Sequence, residues 1–295
     1  MTEKLIYIPT INDKPEDYIQ LFNIRSLVNG YDNIRFDFSK CEFLRPNAIA
    51  FLGGLARVVE SRRGSVIFDW DTLHDQWIKN TLRQNGFASA FGDTSGPWSG
   101  TSIPYREDRI YCPNGFVDYL SDCWLGRGWV HISEILKNAI VERVLELYVN
   151  AFEHSKTKVG VFSCGQYFQN LNQLHLSIID YGVGIPANVR GYLKMIRPDI
   201  PVGNIDAGDC LNWAFQSTTT TRPGSTSRGL GLDLLKSFIK VNQGIMQAYS
   251  NDGFAEISNN QETYKSFSSK FEGTSFNIKL KCDEKYYILA SEKSY

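Results

Sequence analysis

The sequence is 295 residues long, a length typical of two domains. Its 31 basic residues nearly balance its 32 acidic residues, so nothing in the composition favours nucleic acid or an anionic membrane as a partner. Hydrophobic residues make up 42% of the chain, which is enough to bury a sizeable core.

Three further patterns predict a cytoplasmic protein. The N-terminal residues include early acidic side chains and no long apolar core, so they do not resemble a signal peptide. No apolar run approaches the roughly 18 residues that a membrane-spanning helix needs. The 6 cysteines are scattered without a C-x-x-C pair, which argues against a metal site and against a disulfide framework in a chain of this length.

Strands and helices alternate in the first ninety residues, which predicts a small α/β layer structure. Predicted strands cover residues 4–9, 34–38 and 65–70. Predicted helices cover residues 16–28, residues from Pro46 to about Gly64, and residues 75–84. Asn-Gly and Pro signals at the ends of these segments support the boundaries.

Residues 37–48 carry the most specific pattern in this N-terminal segment: Asp-Phe-Ser-Lys-Cys-Glu-Phe-Leu-Arg-Pro-Asn-Ala, followed by a helix with Gly53-Gly54-Leu55. The pattern resembles a STAS-like domain, the fold of anti-sigma-factor antagonists, although a generic α/β domain shows the same alternation. Regulated STAS domains carry a phosphate-accepting serine at this helix start. Arg45, Pro46 and Asn47 hold the matching positions, so no phosphoswitch is expected there. The resemblance implies a protein partner, or self-association, through residues 1–92.

A segment rich in Gly, Ser, Thr and Pro follows, with Gly-Asp-Thr-Ser-Gly-Pro-Trp-Ser-Gly at 92–100, and predicts a loop. Residues 93–125 are therefore interpreted as a connecting segment, within which 103–112 could form a strand or arm. The second domain is predicted over 126–282, and residues 283–295 are interpreted as a C-terminal tail.

The helical pattern over residues 132–154 has two faces. An apolar row recurs every four residues, and Glu146, Asn150 and His154 form a polar row that lies away from it. Such a polar row by itself is an ordinary solvent face. A strand over 173–179 then runs into Asp180 and a turn with Gly182 and Gly184, where glycines allow a ligand to approach the backbone closely.

A second glycine turn, Arg228-Gly229-Leu230-Gly231-Leu232, precedes another apolar helical pattern. Free backbone N–H groups at such a helix start suit a phosphate group. Either turn alone is weak evidence, whereas the polar row and both turns in this order are more specific.

Together these motifs resemble the GHKL ATPase superfamily, which includes gyrase B, the heat-shock-90 chaperones, sensor histidine kinases and MutL-type proteins. The resemblance covers roughly residues 128–281. The helix at 146–154 is similar to the N box, 180–184 to the first glycine box, and 228–232 to the second. Phe215-Gln216-Ser217-Thr218-Thr219 resembles a lid element, and Gly273-Thr274-Ser275-Phe276 a late strand. The family fold implied is a two-layer α/β sandwich of the Bergerat type.

The resemblance implies ATP and Mg²⁺ as ligands, with a role for each matching residue. Asn150 would hold Mg²⁺, and Asp180 would accept a hydrogen bond from the adenine amino group. Thr274 would support the adenine end, and Glu146 matches the general base of ATP-hydrolysing members. The remaining nucleotide contacts implied are Gly182, Gly184, Ser217, Thr218, Arg228, Gly229, Leu230, Gly231 and Leu232.

Residues 186–228 match the family's lid, which would fold over the triphosphate, with Arg222 and Arg228 as candidate phosphate contacts. His154 is similar to a histidine of the kinase and anti-sigma branches, but a packed or capping role fits its position equally well.

Three functions remain open from the sequence. The first is an ATP-binding regulator with slow ATPase activity, in which lid closure changes partner docking. The second is a serine/threonine kinase, like the anti-sigma factors, that acts on a STAS-type partner. The third is a non-enzymatic nucleotide-binding module. A histidine autokinase is disfavoured, since only His131 lies between the linker and the N box and no two-helix dimerisation segment precedes it.

Overall fold

The computed structural model describes residues 3–199, 201–216, 232–259 and 261–292. The strands of these residues form two sheets, one parallel and one antiparallel, so the α/β class predicted from the sequence is confirmed. No helix in these ranges is long and apolar enough to cross a membrane.

The N-terminal unit is built on a parallel sheet in the order β1-β2-β3. Its elements are β1 (Glu3–Tyr7), α1 (Pro15–Val28), β2 (Asn33–Asp37), α2 (Pro46–Ser61), β3 (Ser65–Asp69), α3 (Gln76–Gln84) and α4 (Phe87–Ala90). The six elements predicted here from the sequence are confirmed within a few residues. Pro46 occupies the first turn of α2, where its missing N–H leaves no hydrogen bond unmade.

The second unit is built on an antiparallel sheet in the order β4-β5-β6-β8-β7. Its strands are β4 (Ser102–Asp108), β5 (Val161–Phe168), β6 (Gln173–Asp180), β7 (Ile245–Ser258) and β8 (Glu262–Lys281). Its helices are α5 (Pro113–Asp118), α6 (Glu134–Glu153), α7 (Ile185–Ile196), α8 (Ala207–Ala214) and α9 (Asp233–Asn242). The segment 93–125, interpreted as a connection, thus supplies the edge strand β4 and the helix α5.

The two faces of the antiparallel sheet bury different partners, because successive strand residues point to opposite sides. Ile178 and Phe276 pack on one face, in a core shared with α6, α8 and α9. Ile179 and Tyr249 pack on the other face, in a core shared with α1 and α2. Helices α1 and α2 therefore lie between the two sheets, and the N-terminal unit covers one face of the second unit.

Helix α6 is fixed at its start by residues that follow the last strand. Ser133 caps the helix by accepting a hydrogen bond from the backbone N–H of Leu136 at 3.1 Å. The Ser133 N–H donates to the Tyr287 carbonyl at 2.9 Å, and the Ser133 hydroxyl donates to Glu292 Oε2 at 2.7 Å. Residues 283–292, interpreted as a tail, thus hold the start of the helix that carries the polar row.

The contact between the two units, here called the seam, contains charged side chains. Lys279 Nζ lies 3.0 Å from Asp13 Oδ2, and the guanidinium of Arg45 stacks 4.1 Å from the ring centre of Phe168. Burial would raise the pKa of Asp13, but the ammonium of Lys279 beside it holds that pKa below its usual range. Burial, together with the charges of Lys279 and Arg45, lowers the pKa of His175 to about 3, so this imidazole is neutral at pH 7. The start of α2 is therefore enclosed in the seam.

Gly54 of α2 allows the two units to approach closely. A Cβ at this position would clash with the ring of Tyr181 and would lie 2.8 Å from Cδ2 of Phe162. We expect Gly54→Ala to lower the free energy of unfolding by about 2 kcal/mol, because overpacking outweighs the gain in helix propensity. Gly191 of α7 is the matched control, since a Cβ there meets nothing within 4 Å.

Urea unfolding of the full chain measures both glycine variants. Gly191→Ala should raise the free energy of unfolding by up to about 1 kcal/mol, the usual difference between Ala and Gly within a helix. Equal effects of the two substitutions would show that the close approach at Gly54 does not exist.

Candidate functional site

The candidate site lies at the end of the antiparallel sheet, where β6 runs into the segment 180–187, here called the Asp180 turn. Asp180 is the last residue of β6 and pairs directly with Thr274 of β8. Both side chains are buried, with 3% and 5% exposure. Two residues singled out from distant parts of the sequence therefore lie side by side.

The Asp180 carboxylate is held by the turn that follows it. Its Oδ1 accepts a hydrogen bond from the backbone N–H of Gly182 at 2.8 Å. Burial raises the pKa of Asp180 to about 7, although hydrogen bonds from Gly182, Ser155 and Thr274 act to lower it. A buried acceptor that titrates near neutral pH is typical of a functional position.

The two glycines of the turn pack directly against neighbouring residues, where no side chain would fit. A Cβ at Gly182 would overlap the carbonyl oxygen of Ser155. Gly184 has a φ of 83°, and a Cβ there would lie 2.6 Å from both amide atoms of Asn251. The first position needs glycine for close approach and the second also for its left-handed backbone.

Helix α6 ends against the same turn. The Ser155 carbonyl, just beyond the helix, accepts a hydrogen bond from the Val183 N–H at 2.6 Å. The Asn188 amide donates to the His154 carbonyl at 3.0 Å. These bonds bring the end of α6, which carries the polar row, next to the Asp180 turn.

The polar row of α6 is oriented as its spacing predicts. The apolar row is buried, and Glu146, Asn150 and His154 are half-buried. Within the described ranges the Asn150 side chain has no hydrogen-bond partner, so its amide oxygen can serve as a ligand. Glu146 accepts a hydrogen bond from Arg143 one turn earlier on the helix.

His154 forms the C-terminal cap of α6. Its backbone N–H donates to the Asn150 carbonyl at 3.0 Å, and burial lowers the pKa of its imidazole. The ring is therefore neutral at pH 7. A packed capping role, which the sequence left open beside a functional one, agrees with this position.

The second glycine turn lies mostly outside the described residues. Ser217, Thr218, Arg228, Gly229, Leu230 and Gly231 lie there, as does the candidate lid residue Arg222. Leu232 is described; it is buried at 2% exposure and immediately precedes α9. Of the residues predicted to form the ATP site, the structure describes seven: Glu146, Asn150, Asp180, Gly182, Gly184, Leu232 and Thr274.

Two residues that the sequence did not single out brace the site. The Ser250 hydroxyl accepts from the Ile185 N–H at 2.7 Å and lies 2.9 Å from the Thr274 hydroxyl. The Asn251 amide donates to the Val183 carbonyl at 3.0 Å and accepts from the Ala187 N–H at 3.2 Å. Neither residue belongs to a motif, and only the register of β7 against β8 brings them here.

Groups of three or more His, Cys, Asp or Glu side chains that could hold a metal do not occur in the described ranges. An implied Mg²⁺ would therefore have few protein ligands, as is usual for a cation that arrives with phosphate groups. Among the described residues of the candidate site, the half-buried Asn150 amide has an oxygen of the kind that Mg²⁺ accepts as a ligand.

Comparison with known proteins adds no family. No protein-family model matches the chain, and no curated protein is detectably similar to it in sequence. The geometry at the Asp180 turn therefore carries the functional argument.

Proposed function

We propose that the chain is an ATP-binding regulatory protein with a GHKL-type nucleotide site in its second unit and a STAS-like N-terminal unit. The observation that carries this proposal is the pairing of Asp180 with Thr274, beside two glycines and the end of a helix bearing Asn150. A buried acceptor suits the adenine amino group, and an amide with no hydrogen-bond partner among the described residues suits a metal-bound triphosphate.

Each residue has a separate task in this proposal. The Asp180 carboxylate accepts a hydrogen bond from the adenine amino group, and Thr274 positions that carboxylate. Asn150 offers its amide oxygen to Mg²⁺, which would offset the negative charge of the triphosphate. Glu146 lies one helical turn from Asn150 and, as general base, accepts a proton from the water that attacks the γ-phosphate.

The three candidate functions differ in the fate of the γ-phosphate of ATP, which is released, transferred to a protein or left in place. With γ-labelled Mg-ATP, we expect the full chain to release inorganic phosphate slowly. Asn150→Ala should reduce the affinity for Mg-ATP about tenfold or more while leaving metal-free ATP binding nearly unchanged, because only the metal contact is lost. Asn138→Ala, which removes an exposed amide on the same helix about three turns earlier, is the control.

Two other outcomes of the same assay point to the alternatives. Transfer of the label to a serine or threonine of a STAS-type protein would indicate a kinase. Absence of both release and transfer, with partner binding unchanged in Asn150→Ala, would leave a non-enzymatic module.

The pKa of Asp180 gives this proposal a pH dependence. Because the carboxylate must be charged to act as a full acceptor, we expect the affinity for adenosine to be constant above pH 8. It should fall about tenfold per pH unit well below the pKa of about 7. Adenosine is the appropriate ligand, since its lack of phosphates confines titration to the protein. A pH-independent affinity between pH 5 and 8 would contradict the role given to Asp180.

A further inference from the structure

A groove of about 420 Å³ opens where the N-terminal unit meets the back of the Asp180 turn. Its lining includes Val58 and Ser61 at the end of α2, together with Gly182 and Val183 of the Asp180 turn. The volume lies within the range of small-molecule sites. The groove thus joins the two units at the surface of the protein.

The groove is strongly cationic. Lys156, Lys158, Arg190 and Lys270 line it, and Glu272 is the one lining carboxylate among the residues that the structure describes. The chain as a whole carries a formal net charge of −1, so this concentration does not reflect a generally basic surface. The local field favours an anionic ligand.

Three of these cations have no carboxylate partner within the described part of the chain: Lys156, Lys158 and Lys270. The two other charged groups are paired. Arg190 lies 4.0 Å from Asp252, and Glu272 lies 3.7 Å from Arg25. Three ammonium groups therefore remain to meet a ligand.

The segment that carries two of the lysines has a fixed backbone. Lys156 has a φ of 56°, in the left-handed region that few residues other than glycine adopt. On either side, Ser155 accepts the bond from the Val183 N–H, and the Thr157 hydroxyl donates to the Gly160 carbonyl at 3.1 Å. These bonds fix the backbone positions of Lys156 and Lys158 beside the Asp180 turn.

Apolar side chains line part of the groove, here called its floor. The groove is separate from the nucleotide site proposed above. Val58, Val159, Tyr181 and Val183 supply the apolar side chains. Of the described residues assigned to ATP, only Gly182 lines the groove, whereas Asp180, Asn150 and Thr274 do not. Because Tyr181 follows Asp180 directly, its ring points to the opposite side of the sheet, into the core shared with α2.

We propose that this groove binds a small ligand in which a phosphate group is joined to an apolar or aromatic part. The ammonium groups of Lys156, Lys158 and Lys270 contact the phosphate, since charge-assisted hydrogen bonds to phosphate are among the strongest in proteins. The apolar floor contacts the remainder of the ligand. A bound ligand touches α2 and the Asp180 turn together, and so stabilises the seam between the two units.

Phenyl phosphate is the probe that tests this site on the full-length protein, by isothermal titration calorimetry at low salt. We expect it to bind more tightly than inorganic phosphate, and to bind more weakly as ionic strength rises. The triple variant K156Q/K158Q/K270Q should lose at least about tenfold in affinity. The control K14Q/K40Q/K285Q removes three exposed lysines outside the groove and should bind as the wild type does.

Two further variants separate this proposal from the nucleotide site. Asp180→Asn and Asn150→Ala should leave the affinity for phenyl phosphate unchanged. Loss of binding in those variants, or displacement of the probe by ATP, would show that phenyl phosphate occupies the nucleotide site and would overturn the proposal. Absence of binding to the wild type at millimolar concentrations, or an equal affinity for inorganic phosphate, would overturn it as well.

Discussion

Asp180→Asn should abolish tight ATP binding while making the protein more stable at pH 8. The amide replaces a charged acceptor with one that is weaker and also presents N–H groups to the adenine amino group. Losing a hydrogen bond to a charged group costs about 1.5–3 kcal/mol, and a mismatched donor adds to this. We therefore expect the affinity for ATP to fall at least about 100-fold.

The gain in stability follows from the buried charge. A pKa of about 7, in place of an ordinary value of 3.8, corresponds to roughly 4 kcal/mol of unfavourable free energy when the carboxylate is charged in the folded protein. Because the folded pKa is the higher one, the protonated state is favourable for folding. That contribution is fully present below pH 3.8 and is lost as pH rises through 7.

The Asp180→Asn variant has no buried carboxylate and therefore lacks this unfavourable free energy at every pH. At pH 8 its free energy of unfolding should exceed that of the wild type by about 2 kcal/mol, which is less than the full value because a buried amide is also unfavourable. Near pH 4 the order should reverse, and the wild type should be the more stable protein by about 2 kcal/mol, because its carboxyl is then protonated in the folded state while the cost of the buried amide remains. Thermal or urea unfolding across this pH range, together with ATP titration, measures both effects on one pair of proteins.

Asp75→Asn is the matched control. Asp75 caps α3 by accepting a hydrogen bond from the Ile78 N–H at 2.8 Å, the distance at which Asp180 holds Gly182. It is exposed, and it belongs to the N-terminal unit and not to the residues assigned to ATP. ATP binding should be unchanged in this variant. If Asp180→Asn bound ATP as tightly as Asp75→Asn, the assignment of Asp180 to the adenine would be wrong.

Glu146→Gln should separate ATP binding from ATP hydrolysis. Removing a general base lowers a rate by about 10²–10⁴-fold, whereas a glutamine of the same shape preserves the helix and most contacts. We expect the affinity for Mg-ATP to change by no more than a few-fold. Single-turnover release of labelled phosphate measures the rate directly, without interference from product release.

Glu142→Gln provides a comparison on the same helix. Glu142 precedes Glu146 by one turn, contacts Arg143 at 3.8 Å and is largely exposed. Its substitution should leave the hydrolysis rate unchanged. If Glu146→Gln kept the wild-type rate of phosphate release, Glu146 would not be the general base. The proposal would then be reduced to ATP binding in which Glu146 has no catalytic role.

The N-terminal unit could be predicted from sequence almost completely, because its elements depend on local signals. The apolar spacing of α1 and α2 and the stops at Gly30 and Gly64 are readable within short windows. The apolar row of α6 was predictable for the same reason. In each case, one face of a helix meets a core and the pattern has a single period.

The burial of both faces of the second sheet could not be predicted, because one of the faces carries polar residues. Ser177, Asn277 and Lys279 alternate with apolar residues in β6 and β8, a pattern typical of a strand with one solvated face, yet they are buried beneath the N-terminal unit. Their polarity is compensated by contacts across the seam, such as Lys279 with Asp13. Such contacts depend on residues far apart in the chain.

The candidate site was predictable only in part, for a related reason. Asp180, Gly182 and Gly184 form a local motif, and Thr274 entered through the family resemblance. Ser250 and Asn251 carry no local signal, since their importance comes from strand register and from hydrogen bonds to the turn. The basic groove escapes sequence analysis as well, because its lysines come from separate segments.

Isothermal titration calorimetry of the full chain with ATP in the presence of Mg²⁺ tests most directly whether the protein binds ATP. We expect one ATP to bind per chain, with weaker binding when Mg²⁺ is omitted and at least about 100-fold weaker binding to Asp180→Asn. If millimolar ATP gave no heat of binding, the proposed ATP site would be wrong. Equal affinity of the wild type and Asp180→Asn for ATP would contradict the role of Asp180.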